Sequence, residues 1–123
     1  MRTLADAAVA LTALLHLYFL VLEMFLWTRP FGLKTFGLTA EFARATRALA
    51  ANQGLYNGFL VAGLVWGLLA ADPVGIQVKV FFLACVIVAG VYGAATVSRR
   101  ILVVQALPAA IALIAVVTAA NVG

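Results

Sequence analysis

Four long apolar runs divide the chain, about Leu4–Trp27, Leu49–Ala71, Ile76–Val97 and Ile101–Ala120. Each is near the ~20 residues that a helix needs to cross a hydrocarbon core. Clear breaks separate them: Arg29-Pro30-Phe31-Gly32 after the first, Asp72-Pro73-Val74-Gly75 after the second, and Ser98-Arg99-Arg100 after the third. In lipid every backbone polar group must be satisfied within its own segment, so runs of this length are helices; a barrel would show short alternating strands. The pattern predicts an all-α integral membrane four-helix bundle formed by one domain, residues 1–123.

Composition agrees and removes other classes. Of 123 residues 67% are hydrophobic and 10% charged, against about 25% charged in a soluble domain. A soluble globule of this size cannot bury so much apolar surface. A soluble enzyme, a disordered tail and a disulfide scaffold are excluded, the last because Cys85 stands alone. Residues 1–27 read as a span and not as a cleaved leader, since the apolar run is long and no small-residue cleavage site follows it.

The net charge of +4 is a topology signal, and no support for nucleic-acid binding remains. Arg29, Lys34, Arg44 and Arg47 crowd the first connection, and Arg99 and Arg100 the third, leaving Arg2 and Lys79 for the other side. The positive-inside rule places loops one and three in the cytoplasm and both termini outside, as expected of a multi-pass protein of the inner (plasma) membrane. Arg44 and Arg47 would anchor to headgroups or form a basic rim that draws in anionic substrates. Within loop one, Phe31 to Leu38 is apolar enough to lie at the interface. Thr39 is a suitable N-cap for a helix that starts at Ala40 and runs on into span two.

Polar residues inside the spans carry the candidate chemistry. His16 and Glu23 are seven residues apart, which is ~700° of rotation and ~10 Å of rise on one helix face. Thr12, Phe19 and Trp27 extend that stripe. Span two offers Asn52, Gln53 and Asn57 with Tyr56 beside them, span three Tyr92 and Thr96, and span four Gln105. Counted from the cytoplasmic ends at ~1.5 Å per residue, Glu23, Asn52, Gln53, Tyr92 and Gln105 fall in the cytoplasmic half and His16 and Asn57 near the midplane, while the outer half is nearly bare of polar side chains. Interhelical hydrogen bonding accounts for Gln105 and Thr96 as well as function does. Glu23 is different, because a carboxylate in hydrocarbon must be paired or protonated. With the spans read as free of Lys and Arg, His16, the amides or a ligand must satisfy it.

Small residues indicate close helix contacts. Gly54 and Gly58 form one G-x-x-x-G, Gly63 and Gly67 a second on an adjacent face, and Gly90 and Gly93 a further approach in span three. One face of span two is expected to meet span one, and the other a neighbouring subunit. Pro108 should loosen span four and free a carbonyl near Gln105. No phosphate loop, metal cluster or nucleophile elbow is present. The sequence requires no cofactor, and haem on His16 would lack a second ligand.

The run from Leu15 through His16 and Glu23 to Trp27, then Phe36-Gly37-Leu38 and Ala50-Ala51-Asn52-Gln53-Gly54-Leu55-Tyr56-Asn57-Gly58-Phe59-Leu60, resembles the bacterial membrane family grouped as "domain of unknown function 1304". That resemblance implies the fold and carries no activity. The layout is also similar to the membrane-associated eicosanoid and glutathione metabolism proteins, trimers that hold glutathione between subunits at the cytoplasmic half. Their second helix spaces Arg and Asn by four and follows with Glu. Here Arg47 and Asn52 are five apart and Leu55 stands at the Glu position, so glutathione is not carried over.

These features point to a polar site in the cytoplasmic half for a small lipophilic molecule. Glu23 and His16 would serve acid/base chemistry there. Asn52, Gln53, Asn57, Tyr56, Tyr92 and Gln105 would contact the substrate, in a homo-oligomer of two or three copies. The alternatives are a proton-coupled exporter similar to the small multidrug resistance proteins and a non-catalytic assembly subunit.

Overall fold

The computed structural model describes residues 1–122. The described chain is helical without strands: α1 (Arg2–Met24), α2 (Pro30–Phe36), α3 (Ala40–Ala45), α4 (Arg47–Leu69), α5 (Val74–Thr96), a π-helical turn (Leu102–Ala106) and α6 (Leu107–Val122). Three helices are long and apolar enough to cross a membrane: α1, α5 and the run Leu102–Val122, of 23, 23 and 21 residues. Twenty-three residues rise ~35 Å, more than the ~30 Å hydrocarbon thickness. The expected second span falls on α4, also 23 residues but not one of these three; Asn52, Gln53 and Asn57 make its first half more polar than its second.

The helices fall into two compact units, Leu14–Val61, and Met1–Ala13 with Ala62–Gly123. In the second of these the interior is built from small side chains: Ala5, Val9, Ala13, Ala106, Ala109, Ala112 and Val116 are buried, with Leu64, Leu83 and Val86 among them. Large apolar side chains point outward, Leu69 being 81% exposed, Leu4 70% and Ile114 67%. A protein in water would reverse that order. In lipid the outer surface gains nothing from hiding Leu, and close backbone packing through small residues supplies the association.

Where α5 meets the last helix, a Cβ on Gly90 would stand 2.9 Å from Ala106 Cβ and 3.0 Å from its nitrogen, so only glycine permits the observed approach. The π turn has a local cause. Pro108 lacks an N–H and its ring crowds the carbonyl one turn earlier. The helix widens just before it, and the Leu107 N–H bonds Leu102 O, five residues back. The loosening expected at Pro108 therefore takes the form of a π turn.

In the unit Leu14–Val61, α1 stops at Met24, short of the expected Trp27: the N–H groups of Phe25 and Leu26 both reach Val21 O, at 3.0 and 3.2 Å. Pro30 opens α2, where its missing N–H costs nothing, and Gly37 closes it in the left-handed region at φ 66° with its N–H on Leu33 O. The expected cap at Thr39 is formed, its Oγ1 accepting from the Phe42 N–H at 3.1 Å. The helix from Ala40 does not run on into span two, however. It ends at Ala45, and Thr46 leaves helical geometry at φ −105°, ψ 8°. The Thr46 hydroxyl donates to Phe42 O at 2.8 Å and accepts from the Trp27 indole N–H at 3.0 Å. That side chain thus ties the end of α3 to Trp27, three residues past the end of α1.

Candidate functional site

Within the unit Leu14–Val61, the last turns of α1 and the first half of α4 approach closely because α4 carries glycine there. A Cβ on Gly54 would lie 2.6 Å from Met24 Cγ, 3.1 Å from Glu23 Cβ and 3.3 Å from Leu20 O. One turn on, Gly58 faces Leu20 at 3.0 Å. The first G-x-x-x-G therefore does meet α1, as its spacing suggested.

The approach brings Glu23 and Asn57 together. The Asn57 amide Nδ2–H donates to Glu23 Oε1 at 2.5 Å, and Asn57 is buried while Glu23 is partly covered. A carboxylate hydrogen-bonded to a neutral amide keeps its charge or its proton as a local variable, because no cation fixes it. Among the described residues neither Lys nor Arg pairs with Glu23. His16, two turns earlier on α1, is fully buried, with its ring edge-on to Phe19 at 5.3 Å between centroids.

The other expected site residues are placed differently. Asn52, Gln53 and Tyr56 lie on the exposed side of α4, and Tyr56 sets its ring edge-on to Phe59 at 5.6 Å. Tyr92 is 70% exposed on α5. Gln105 donates from Nε2 to Val86 O at 3.3 Å, and the Thr96 hydroxyl donates to Tyr92 O at 2.7 Å. Gln105 and Thr96 thus hold helices and close local backbone bonds. The described residues contain no group of three or more His, Cys, Asp or Glu suited to a metal ion.

One buried charge escaped the sequence reading and corrects it. Lys79 lies in α5, inside the third apolar run, and is only 4% exposed. Its ammonium donates to Asp6 Oδ1 at 3.1 Å, and Asp6 is in the first turns of α1. The spans are therefore not free of Lys, and the end of α1 opposite to Glu23 is not bare of polar side chains. Beside this pair Arg2 reaches Asp72 at 2.7 Å. The second G-x-x-x-G explains how Lys79 is accommodated: a Cβ on Gly67 would stand 2.6 Å from Lys79 Cγ. Gly63 faces Phe82 of α5. That face of α4 is thus occupied within the chain and not by a neighbouring subunit. The signal was available, since an acid and a base each sit about one turn inside opposite spans.

Residues 10–117 match the family described as "Protein of unknown function (DUF1304)". No curated protein and no solved structure matches the chain.

Proposed function

The chain belongs to the DUF1304 family, and we propose that it is a four-span protein of the inner membrane that binds a small lipophilic molecule at Glu23 and Asn57. Both termini face outward and loops one and three face the cytoplasm. Support for that direction is stronger once Lys79 is counted as buried: Arg29, Lys34, Arg44, Arg47, Arg99 and Arg100 then face Arg2 alone among cations outside the helix interiors. The observation that carries the function is the Asn57–Glu23 hydrogen bond in a site without a permanent counter-ion. A carboxyl held in this way is able to exchange a proton with, or accept a hydrogen bond from, the polar group of an otherwise apolar ligand. His16 is the second titratable group of the same unit and acts with Glu23 in any proton transfer.

The exposed polar side of α4 favours self-association. Amides are donors and acceptors at once, so Asn52 and Gln53 of one copy complement those of another, with Tyr56 beside them. Two or three copies joined there would cover groups that are costly against lipid.

The test is binding of a fluorescent lipophilic amine and its neutral analogue to the purified protein in nanodiscs. Glu23→Gln, which keeps the shape and the bond to Asn57, should weaken the amine about tenfold and leave the neutral analogue within about twofold. Equal affinity of wild type and variant for both probes would refute the role of Glu23.

A further inference from the structure

Just beyond the end of α1 the structure holds a second, chemically distinct place, partly open to the surface. A cavity of about 240 Å³ is lined by Met24, Phe25, Trp27, Thr28, Arg29 and Arg47. Glu23, Asn57 and His16 take no part in its walls. We propose that this cavity is a binding site for a phosphate group, held between the guanidinium groups of Arg29 and Arg47.

Charge is the first ground. The chain has four acidic residues, and none lines the cavity. Asp6 and Asp72 are paired with Lys79 and Arg2, Glu23 accepts from Asn57, and Glu41 sits in the first turn of α3. Arg29 and Arg47 form no ion pair among the described residues. Two exposed arginines without an ion pair on one small cavity match the charge and the several acceptor oxygens of a phosphate, which Arg binds in a two-pronged geometry.

Size is the second. Pockets for drug-sized ligands run ~300–1,000 Å³, so this cavity suits a headgroup-sized moiety and not a whole lipophile. Preorganisation is the third. The Trp27 wall is fixed before any ligand arrives, by its indole bond to Thr46 at 3.0 Å and its contact with the Phe36 ring at 5.0 Å. Thr28 adds a hydroxyl, while Met24 and Phe25 supply an apolar side along which an acyl chain or other hydrocarbon would lie.

Phosphate of this kind comes from a membrane lipid or from a soluble phosphate compound, and the test separates them. Full-length protein in neutral-lipid nanodiscs is titrated with phosphatidic acid and with the matching diacylglycerol, and complexes are counted by native mass spectrometry. Phosphatidic acid should bind at one site per chain, and Arg29→Gln or Arg47→Gln should each weaken it about tenfold. Arg44→Gln, at a cation of α3 outside the cavity, should change it less than twofold. Arg47→Lys, which keeps the charge and loses the fork, should fall between. If millimolar inorganic phosphate displaces the lipid, the natural occupant is a soluble phosphate compound; if it does not, a lipid headgroup. Either result supports the site. Equal binding of diacylglycerol and phosphatidic acid would overturn it. So would an Arg44→Gln loss as large as that of Arg29→Gln, the mark of diffuse attraction. Binding at Glu23 can fail independently, because its amine probe carries no phosphate.

Discussion

Replacement of Asp6 by leucine is expected to lower the unfolding free energy by about 3 kcal/mol, among the largest effects of any single change in this chain. Lys79 is 4% exposed, and its ammonium has Asp6 as its hydrogen-bond partner at 3.1 Å. Breaking a buried ion pair by removing one member costs ~3–5 kcal/mol, because the survivor stays desolvated and uncompensated. The lower figure applies since the Asp6 side chain is itself 39% exposed. The same asymmetry predicts a smaller loss for Lys79→Met, which leaves a carboxylate that still reaches the surface. The double variant Asp6→Leu/Lys79→Met should recover most of the loss, as replacing both members by apolar groups is commonly neutral. Unfolding in mixed detergent micelles, followed by circular dichroism, measures all three. Additive losses in the double variant would show that the two charges act separately.

Asn57→Leu is the second. It removes the amide that donates to Glu23 without opening the Gly54 and Gly58 contacts with α1. Stranding a fully buried acceptor costs ~1–3 kcal/mol, and since Glu23 is only partly covered the lower end of that range is expected. Pairing the change with Glu23→Gln removes the charge and should cut the penalty by about half, a coupling that a double-mutant cycle reads directly. Ligand affinity should fall in Asn57→Leu even where the helices remain formed.

Much of the architecture was legible in the chain because lipid imposes simple demands. Run lengths gave the long helices to within a few residues, and Thr39 announced its cap. Gly54 and Gly58 identified the face of α4 that meets α1. What the pattern could not resolve was where a helix pauses. Thr46 breaks α3 from α4 through a hydroxyl shared between Phe42 and Trp27, a tertiary contact that no local propensity encodes. The candidate site was legible in kind and less so in membership. Glu23 and Asn57 are joined, yet Asn52, Gln53 and Tyr56 are exposed, since five, four and one residues before Asn57 they turn about 140°, 40° and 100° away from it, all to the same side of the helix. Lys79 escaped notice because a cation near the end of an apolar run looks like a loop residue until Asp6 is seen against it.

Mass spectrometry of the small molecules that leave the membrane with the intact protein tests the central claim most directly. Wild type, Glu23→Gln and Asn57→Leu are purified in mild detergent, and the released compounds are compared. A lipophilic compound bearing a basic or hydrogen-bonding group, stoichiometric with wild type and at least tenfold depleted in both variants, is the result the site at Glu23 and Asn57 predicts. The same compounds in the same amounts from all three proteins, with all three folded, would contradict it.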